Sequence, residues 1–157
     1  MNFQWHKLMT ASVQQPFWQR KTLAEMTPSE WESLCDGCAL CCCHKSYDER
    51  SQVVSYSMAL CRQLADDNRC QVYANRHQKV PQCVALSAHQ PHFREMPQTC
   101  AYRCVAEGRD IPDWHPLKTG ESTQTHPDAV NVRDWPVLSE DWVDLDEAMQ
   151  HIILRVS

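Results

Sequence analysis

Glycine is scarce in this sequence, with only three glycines among 157 residues. We find no glycine-rich phosphate loop of the GxGxxG kind and no recognisable catalytic triad, the motifs by which many nucleotide-dependent and hydrolytic enzymes are identified. The sequence therefore does not assign the chain to a common enzyme class, and whether it is an enzyme stays open.

Long apolar runs are also absent. The mean hydropathy is -0.56, and no run approaches the roughly 18 residues that a membrane-spanning helix needs. The opening MNFQWHKLMTASVQQ lacks a basic stretch followed by an apolar block and a small-residue cleavage site, so no secretory signal is predicted. We expect a cytoplasmic protein that has no membrane partner.

The sequence also lacks a cluster of positively charged residues. The net charge is -5, from 20 acidic and 15 basic residues, and the basic residues are scattered along the chain. Proteins that bind nucleic acid directly usually carry a basic patch or stripe that follows the phosphates. Direct nucleic-acid binding is therefore not expected.

Cysteine, in contrast, is abundant. Ten cysteines lie at positions 35, 38, 41, 42, 43, 61, 70, 83, 100 and 104. Five disulfides would suit the even count, but a chain of 157 residues can bury a core without them. Dense cysteine patterns in intracellular proteins more often bind metal or act in catalysis. We therefore favour metal binding over a disulfide framework.

The pattern of turns and apolar residues predicts one domain. We expect residues 1–15 to form a loose N-terminal leader and residues 16–157 to form a single cysteine-cluster domain. The fold class expected is α+β and predominantly helical: a small cysteine-rich, metal-centred domain with a short β-hairpin and long ordered loops.

Besides a short helix expected to begin near Pro16, three helices are predicted from local signals. Thr27, Pro28 and Glu30 match an N-cap, a first-turn proline and a capping-box glutamate. That helix should end at Gly37, which would place Cys35 in its last turn. A second helix should cover TCAYRCVAE and end at Gly108.

The third predicted helix begins at Ser139. Its apolar residues recur at helical spacing, and Trp142 is expected to face the core together with Leu145 and Met149. Between the second and third helices, a turn-rich segment should form an ordered loop.

A β-hairpin is predicted in the middle of the chain. The stretch VVSYSMALCRQL, residues 53–64, is rich in β-branched and apolar residues, and RCQVY reads as its return strand. The hairpin would bring Cys61 close to Cys70. The segment around Cys83 contains several prolines and should be partly irregular.

The motif CDGCALCCC, residues 35–43, carries the clearest chemistry. Two residues between cysteines allow a tight turn to aim both sulfurs at one metal ion, and Cys35, Cys38 and Cys41 repeat that spacing twice. The bacterial ferredoxin run continues with a fourth cysteine at the position that Lys45 occupies here. A zinc ribbon would need a second CxxC. If the chain is helical after Gly37, Cys43 points away from the other thiols.

The motifs taken together resemble the bacterial YcgN-type proteins, uncharacterised members of the wider CxxCxxCC or YkgJ-type family of zinc- or iron-chelating proteins. The resemblance extends from Pro16 to about Arg133. It is carried by CxxCxxCC, CRQL at Cys61, CQVY at Cys70 followed by Arg76, VPQC at Cys83, TCAYR at Cys100, AEGRD, and WHPL at residues 114–117.

This resemblance implies a set of metal ligands. The set is Cys35, Cys38, Cys41, Cys42, Cys61, Cys70, Cys83 and Cys100. Relatives usually have apolar residues at the positions of Cys43 and Cys104, which makes these two accessory, and they often have CxC where this chain has only Cys70. A similarity to the cysteine-rich part of flagellin lysine N-methylases favours iron, including a [4Fe-4S] cluster, over zinc.

Three functions remain as alternatives. The first is a non-enzymatic protein that binds zinc or iron, and the second is an iron-sulfur enzyme or electron-transfer protein related to lysine N-methylases. The third is a thiol redox sensor in which Cys35 and Cys38 have lowered pKa values, which the charge of Asp36 would oppose. A histidine could complete a site with three cysteines; the candidates near the motifs are His44, His115 and His126. The protein partner is unknown.

Overall fold

The structure is a computed structural model that describes residues 14–89, 93–121 and 126–157. Residues 1–13 of the predicted leader lie outside the described part of the chain. The division into a leader and one domain stays a prediction.

A four-stranded sheet organises the described residues. The strands are β1 (Cys43–Asp48), β2 (Val53–Leu60), β3 (Leu138–Ser139) and β4 (Ile152–Val156). β2 lies at the centre, antiparallel to β1 on one side. On its other side it pairs antiparallel with β4 and, over its last two residues, parallel with β3. Val54, Tyr56, Ala59 and Leu60 of β2 are buried.

The helices are short. Within the described residues they are α1 (Phe17–Arg20), α2 (Pro28–Ser33), α3 (Arg76–Lys79), α4 (Ala101–Ala106), α5 (Pro116–Thr119) and α6 (Leu145–Ala148), each of four to six residues. The fold is therefore a small mixed α/β domain, and the expected predominance of helix is not confirmed. None of the described helices is long and apolar enough to cross a membrane.

Two core clusters pack the described residues together. The first core contains Leu34, Met96 and Ile111, and the second contains Leu40 and Tyr56 with residues of β1, β2 and β4. The cysteine-rich segment 35–43 runs between them, since Cys41 packs against the first core and Cys38 against the second. The segment is thus held at the junction of both cores.

The capping box of α2 is confirmed. The Thr27 hydroxyl accepts a hydrogen bond from the Glu30 amide at 3.2 Å, and Glu30 accepts one from the Thr27 amide at 2.8 Å. The helix ends earlier than predicted, because the Leu34 and Cys35 amides donate to carbonyls three residues back and tighten the chain. Cys35 therefore lies after the helix, and the left-handed Gly37 (φ 74°) belongs to the following loop.

The predicted strand at residues 53–64 is confirmed as β2, but its partner was predicted wrongly. β2 forms its hairpin with the preceding β1, and the expected return strand contributes only one bridge, between Leu64 and Cys70. After β2 the chain turns at once, since the Leu64 amide donates to the Cys61 carbonyl at 3.1 Å. The bridge still places Cys70 beside Leu64, which lies three residues after Cys61.

The helix predicted at TCAYRCVAE is confirmed as α4. Cys100 is its N-cap residue, and Gly108 follows its end with a left-handed φ of 68°. The Cys104 amide donates to the Cys100 carbonyl at 2.9 Å, so the two residues lie one turn apart.

The predicted final helix is wrong. The chain forms a 3-10 turn at Glu140–Trp142, then the single-turn α6, and then β4. β-branched residues at the end of the chain favour a strand, and β4 covers the open side of β2 by pairing with it. Trp142, predicted to face the core, has 82% of its surface exposed.

Arg103 links α4 to the rest of the fold. It is buried, and it donates hydrogen bonds to the Met96 carbonyl, the Ser157 backbone oxygen and Glu107, each at 2.8 Å. We predict that Arg103→Met lowers the free energy of unfolding by about 3 kcal/mol, because it leaves buried acceptors without a donor. Urea unfolding measures this.

The control for that substitution is Arg155→Met, at an exposed position of β4. An exposed arginine should contribute within about 0.5 kcal/mol. Equal losses of stability in the two variants would contradict the structural role of Arg103.

Candidate metal centre

The loop of residues 35–43 reverses sharply through left-handed backbone. Gly37 has φ 74° and Ala39 has φ 59°, and a left-handed conformation costs a residue with a Cβ about 1–2 kcal/mol. The Asp36 carboxylate accepts a hydrogen bond from the Cys38 amide at 3.1 Å and fixes the first reversal. The 3-10 helix Leu40–Cys42 follows. Such strain persists where the surrounding structure enforces it, which is common at functional sites.

The start of the hairpin brings two further cysteines beside this loop. Cys43 pairs with Leu60 in the sheet, and the Cys61 amide donates to the Cys42 carbonyl at 2.9 Å. The Leu64–Cys70 bridge then returns the chain toward Cys61. Cys42, Cys61 and Cys70 are thus positioned by backbone hydrogen bonds.

Cys83 and Cys100 lie on more distant segments of the chain. The Cys83 amide donates to the Val80 carbonyl at 2.9 Å, directly after α3. Cys100, at the start of α4, packs against the first core, as Cys41 does.

Four of the cysteines form a near set, defined as Cys35, Cys38, Cys41 and Cys100. Burial, with repulsion from Cys41 and Asp36, raises the pKa of Cys35 to about 11, although Cys35 as a whole residue is exposed. Burial also raises the pKa of Cys38, with further contributions from Asp36, Cys41 and Cys100. Burial and Cys41 raise the pKa of Cys100 to about 12. Thiolates in this set therefore lie close enough to repel one another.

Four others form a far set, defined as Cys42, Cys61, Cys70 and Cys83. The hydrogen bond to Cys41 is the largest cause that raises the pKa of Cys42, followed by burial and by repulsion from the thiolates of Cys41 and Cys61. Burial raises the pKa of Cys61, and Glu140 and Cys70 add to it. The pKa of Cys83 is raised by burial and by Cys41, Cys61 and Cys70. The thiols of the far set therefore also lie close enough to raise one another's pKa values.

The Cys41–Cys42 contact joins the two sets. The Cys42 thiol donates a hydrogen bond to the Cys41 sulfur, and this bond, helped by the charge of Lys45, lowers the pKa of Cys41 to about 7. The Lys45 ammonium is held nearby because it donates to the Cys41 and Cys43 carbonyls at 2.6 and 2.8 Å. A sensor built on Cys35 and Cys38 would require lowered pKa values at those residues, and their pKa values are raised instead.

Cys43 and Cys104 occupy different surroundings. They are 3% and 1% exposed and belong to the second and first core respectively. The Cys104 thiol donates to the Gln98 carbonyl at 3.5 Å and accepts from Arg109 at 3.3 Å. These positions suit small core residues.

The donors fit a thiophilic metal by their chemistry. All ten cysteines are free, so no thiol is consumed in a disulfide. Thiolates are the ligands that structural zinc and iron-sulfur clusters prefer. Among the described residues, no three cysteine, histidine, aspartate or glutamate side chains already converge as the ligands of one ion. Binding would therefore require side-chain rotation within the two sets.

The three candidate histidines have different surroundings. His115 is fully buried, and its ring makes hydrogen bonds with the Leu34 carbonyl and the Leu117 amide, both at 3.1 Å. It is therefore a structural residue. The ring of His44 pairs with Glu140 at 2.9 Å.

Only His126 among these three lacks a hydrogen-bond partner for either ring nitrogen within the described residues. It lies beside Asp36, whose pKa is raised by burial but lowered overall by His126 and the Cys38 amide. From the sequence, Asp36 is expected only to oppose, by its charge, the formation of neighbouring thiolates. Its position between two cysteines of a CxxC motif was the available clue to a larger role.

Comparison with known proteins places the chain in a family. It is 48% identical to a UPF0260 protein of Marinobacter nauticus over 143 residues, which are 90% of this chain and 96% of the relative. It is 46% identical to one of Azotobacter vinelandii over 149 residues, or 94% and 99%. It is also 46% identical to the UPF0260 protein YcgN of Salmonella typhi over 134 residues, or 82% and 88%.

The chain therefore belongs to the UPF0260 family of uncharacterised bacterial proteins, which includes YcgN. The resemblance to YcgN-type proteins is confirmed. No family model and no solved structure matches the chain.

The Cys41–Cys42 contact leads to a pH prediction for the metal-free protein. Ultraviolet titration of the thiols should show one thiolate that forms near pH 7, because Cys42 stabilises the Cys41 thiolate as the pH rises. Cys42→Ala should move this step toward the ordinary cysteine range. Cys104→Ala, the control, should leave the step in place, and persistence of the step in Cys42→Ala would show that another group titrates there.

Proposed function

We propose that this UPF0260 protein is a metal-binding protein that holds iron, including iron in a [4Fe-4S] cluster, or zinc. The ligands are the eight cysteines of the near and far sets. The observation that supports this function is the proximity of these thiols: after burial or a hydrogen bond as the largest cause, neighbouring sulfurs contribute to the raised pKa values of Cys38, Cys42, Cys83 and Cys100, whereas Cys43 and Cys104 are almost fully buried in the two cores.

The electrostatics of the two sets favour a cation. Burial, followed by repulsion between neighbouring thiolates, raises the pKa values of most of these thiols. A metal ion reverses that effect because its positive charge deprotonates the thiols it binds. The free energy released by binding then stabilises the fold, since the ligands are assembled only in the folded chain. Free thiols suit a reducing compartment, so the proposal includes a cytoplasmic location.

The number of thiols in each set suits two centres. Zinc in a structural site and a [4Fe-4S] cluster each take four thiolates, and each set supplies four. Cys41 and Cys42 are adjacent in sequence and belong to different sets. Their contact would place the two centres side by side.

Metal and sulfide analysis of anaerobically purified protein, with its visible absorption spectrum, tests the proposal. We expect bound iron or zinc. Iron with an equal amount of acid-labile sulfide and a broad visible band would identify a cluster, and colourless protein with tightly held zinc would identify a zinc site. Protein that is folded, reduced and free of metal after growth with both metals would refute the function.

Substitution separates ligands from core residues. Cys38→Ala should lose at least half of the bound metal, because it removes a thiolate of the near set. Cys43→Ala and Cys104→Ala should keep their metal and lose about 1 kcal/mol or more of stability through small cavities. The measurement is the metal content of each variant, and circular dichroism confirms that each variant is folded. Equal metal loss in Cys43→Ala and Cys38→Ala would make the ligand assignment wrong.

A further inference from the structure

Two buried polar side chains beside the near set have unused binding capacity. The side chains of Asp36 and His126 are 6% and 3% exposed. Within the part of the chain that the structure describes, Asp36 Oδ2 and both ring nitrogens of His126 have no hydrogen-bond partner. A buried polar group left unpaired costs about 1–3 kcal/mol. Their position therefore points to a ligand.

The distance between the two groups indicates which kind of ligand. Asp36 Oδ2 and His126 Nε2 lie 3.4 Å apart and make no hydrogen bond. Hydrogen bonds of this type are shorter, near 2.7–3.2 Å. Two ligands of one tetrahedral ion, each about 2.0–2.1 Å from it, are separated by about 3.4 Å. The pair thus has the spacing of two donors that share one metal ion.

A third donor lies next to this pair. Cys38 donates its amide hydrogen bond to the other oxygen of the same carboxylate, Oδ1, at 3.1 Å. Because no three such donors already converge among the described residues, the Cys38 thiol would have to rotate toward this pair to share an ion with it. The Trp114 ring packs edge-on against the His126 ring, with 5.3 Å between centroids, and restricts the motion of the imidazole.

We propose that Asp36 Oδ2 and His126 Nε2 bind one divalent transition-metal ion together with the Cys38 sulfur. One carboxylate oxygen, one imidazole nitrogen and one thiolate form a set that zinc and ferrous iron accept. Three protein ligands leave a fourth position for water or a small ligand. On binding, the Cys38 thiol loses its proton to solvent, and no electron is transferred.

This inference adds to the proposed function and depends on it for one ligand, since Cys38 also belongs to the near set. Its thiolate would then bridge the near centre and the new ion. The near set would differ from the far set in holding an ion with nitrogen and oxygen ligands. That difference makes the inference separable from the proposal that the cysteines bind metal.

Titration of the full, metal-free chain with cobalt(II), followed in the visible spectrum, tests the site. The wild type should bind one more equivalent than His126→Ala or Asp36→Asn. In both variants the affinity for that equivalent should fall at least about a hundredfold, because even residues outside the ligand shell change metal affinity by 10–100-fold. His126→Cys should recover the equivalent and add sulfur-to-cobalt charge-transfer absorption.

His151→Ala, at an exposed position, is the matched control and should bind as the wild type does. Circular dichroism confirms that each variant is folded. Unchanged cobalt stoichiometry and affinity in both His126→Ala and Asp36→Asn would overturn the inference, while strong thiolate bands in the same samples would leave the cysteine centres intact. Loss of one equivalent with no multi-thiolate bands in any sample would support this site and refute the proposed function.

Discussion

The burial of closely placed thiols is the constraint on which the rest of this structure depends. Burial and neighbouring sulfurs raise the pKa values of Cys35, Cys38 and Cys100, so these groups remain neutral thiols unless a cation joins them. The loop that brings them together contains a left-handed alanine at position 39. A fold that keeps these thiols crowded and the backbone strained gains most stability when a metal ion binds.

The two cores provide the rigidity that such a site needs. Cys41 packs on the first core and Cys38 on the second, so a shift of either core against the other would change the distance between their sulfurs. The hairpin fixes Cys42 against Cys61 through a backbone hydrogen bond. Cys43 anchors the end of the motif in the second core. The sheet and the helices α1–α6 therefore serve mainly to hold the connecting segments, on which the thiols of the near and far sets lie.

The sequence predicted the local features whose causes are local. The capping box at Thr27 and Glu30 and the helix after Cys100 were predicted correctly, because both depend on contacts within a few residues. The end strand β4 and the exposed Trp142 were missed, since β4 forms by pairing with a distant strand whose edge the sequence does not reveal.

The candidate site likewise has one part that the sequence predicts and one part that it does not. The cysteine spacing and the family resemblance identified the thiols, but the partition into two sets depends on how α4 and the hairpin pack around the loop. The pairing of Asp36 with His126 joins positions 90 residues apart, and nothing in the local sequence of either residue predicts it. Long-range packing, which residue patterns do not encode directly, determines both.

X-ray absorption at the edge of the bound metal tests the central claim most directly, because it counts the ligand atoms of each kind. We expect a dominant shell of sulfur at about 2.3 Å around the metal in the purified protein. A shell made mainly of nitrogen and oxygen at about 2.0–2.1 Å, with little sulfur, would contradict it.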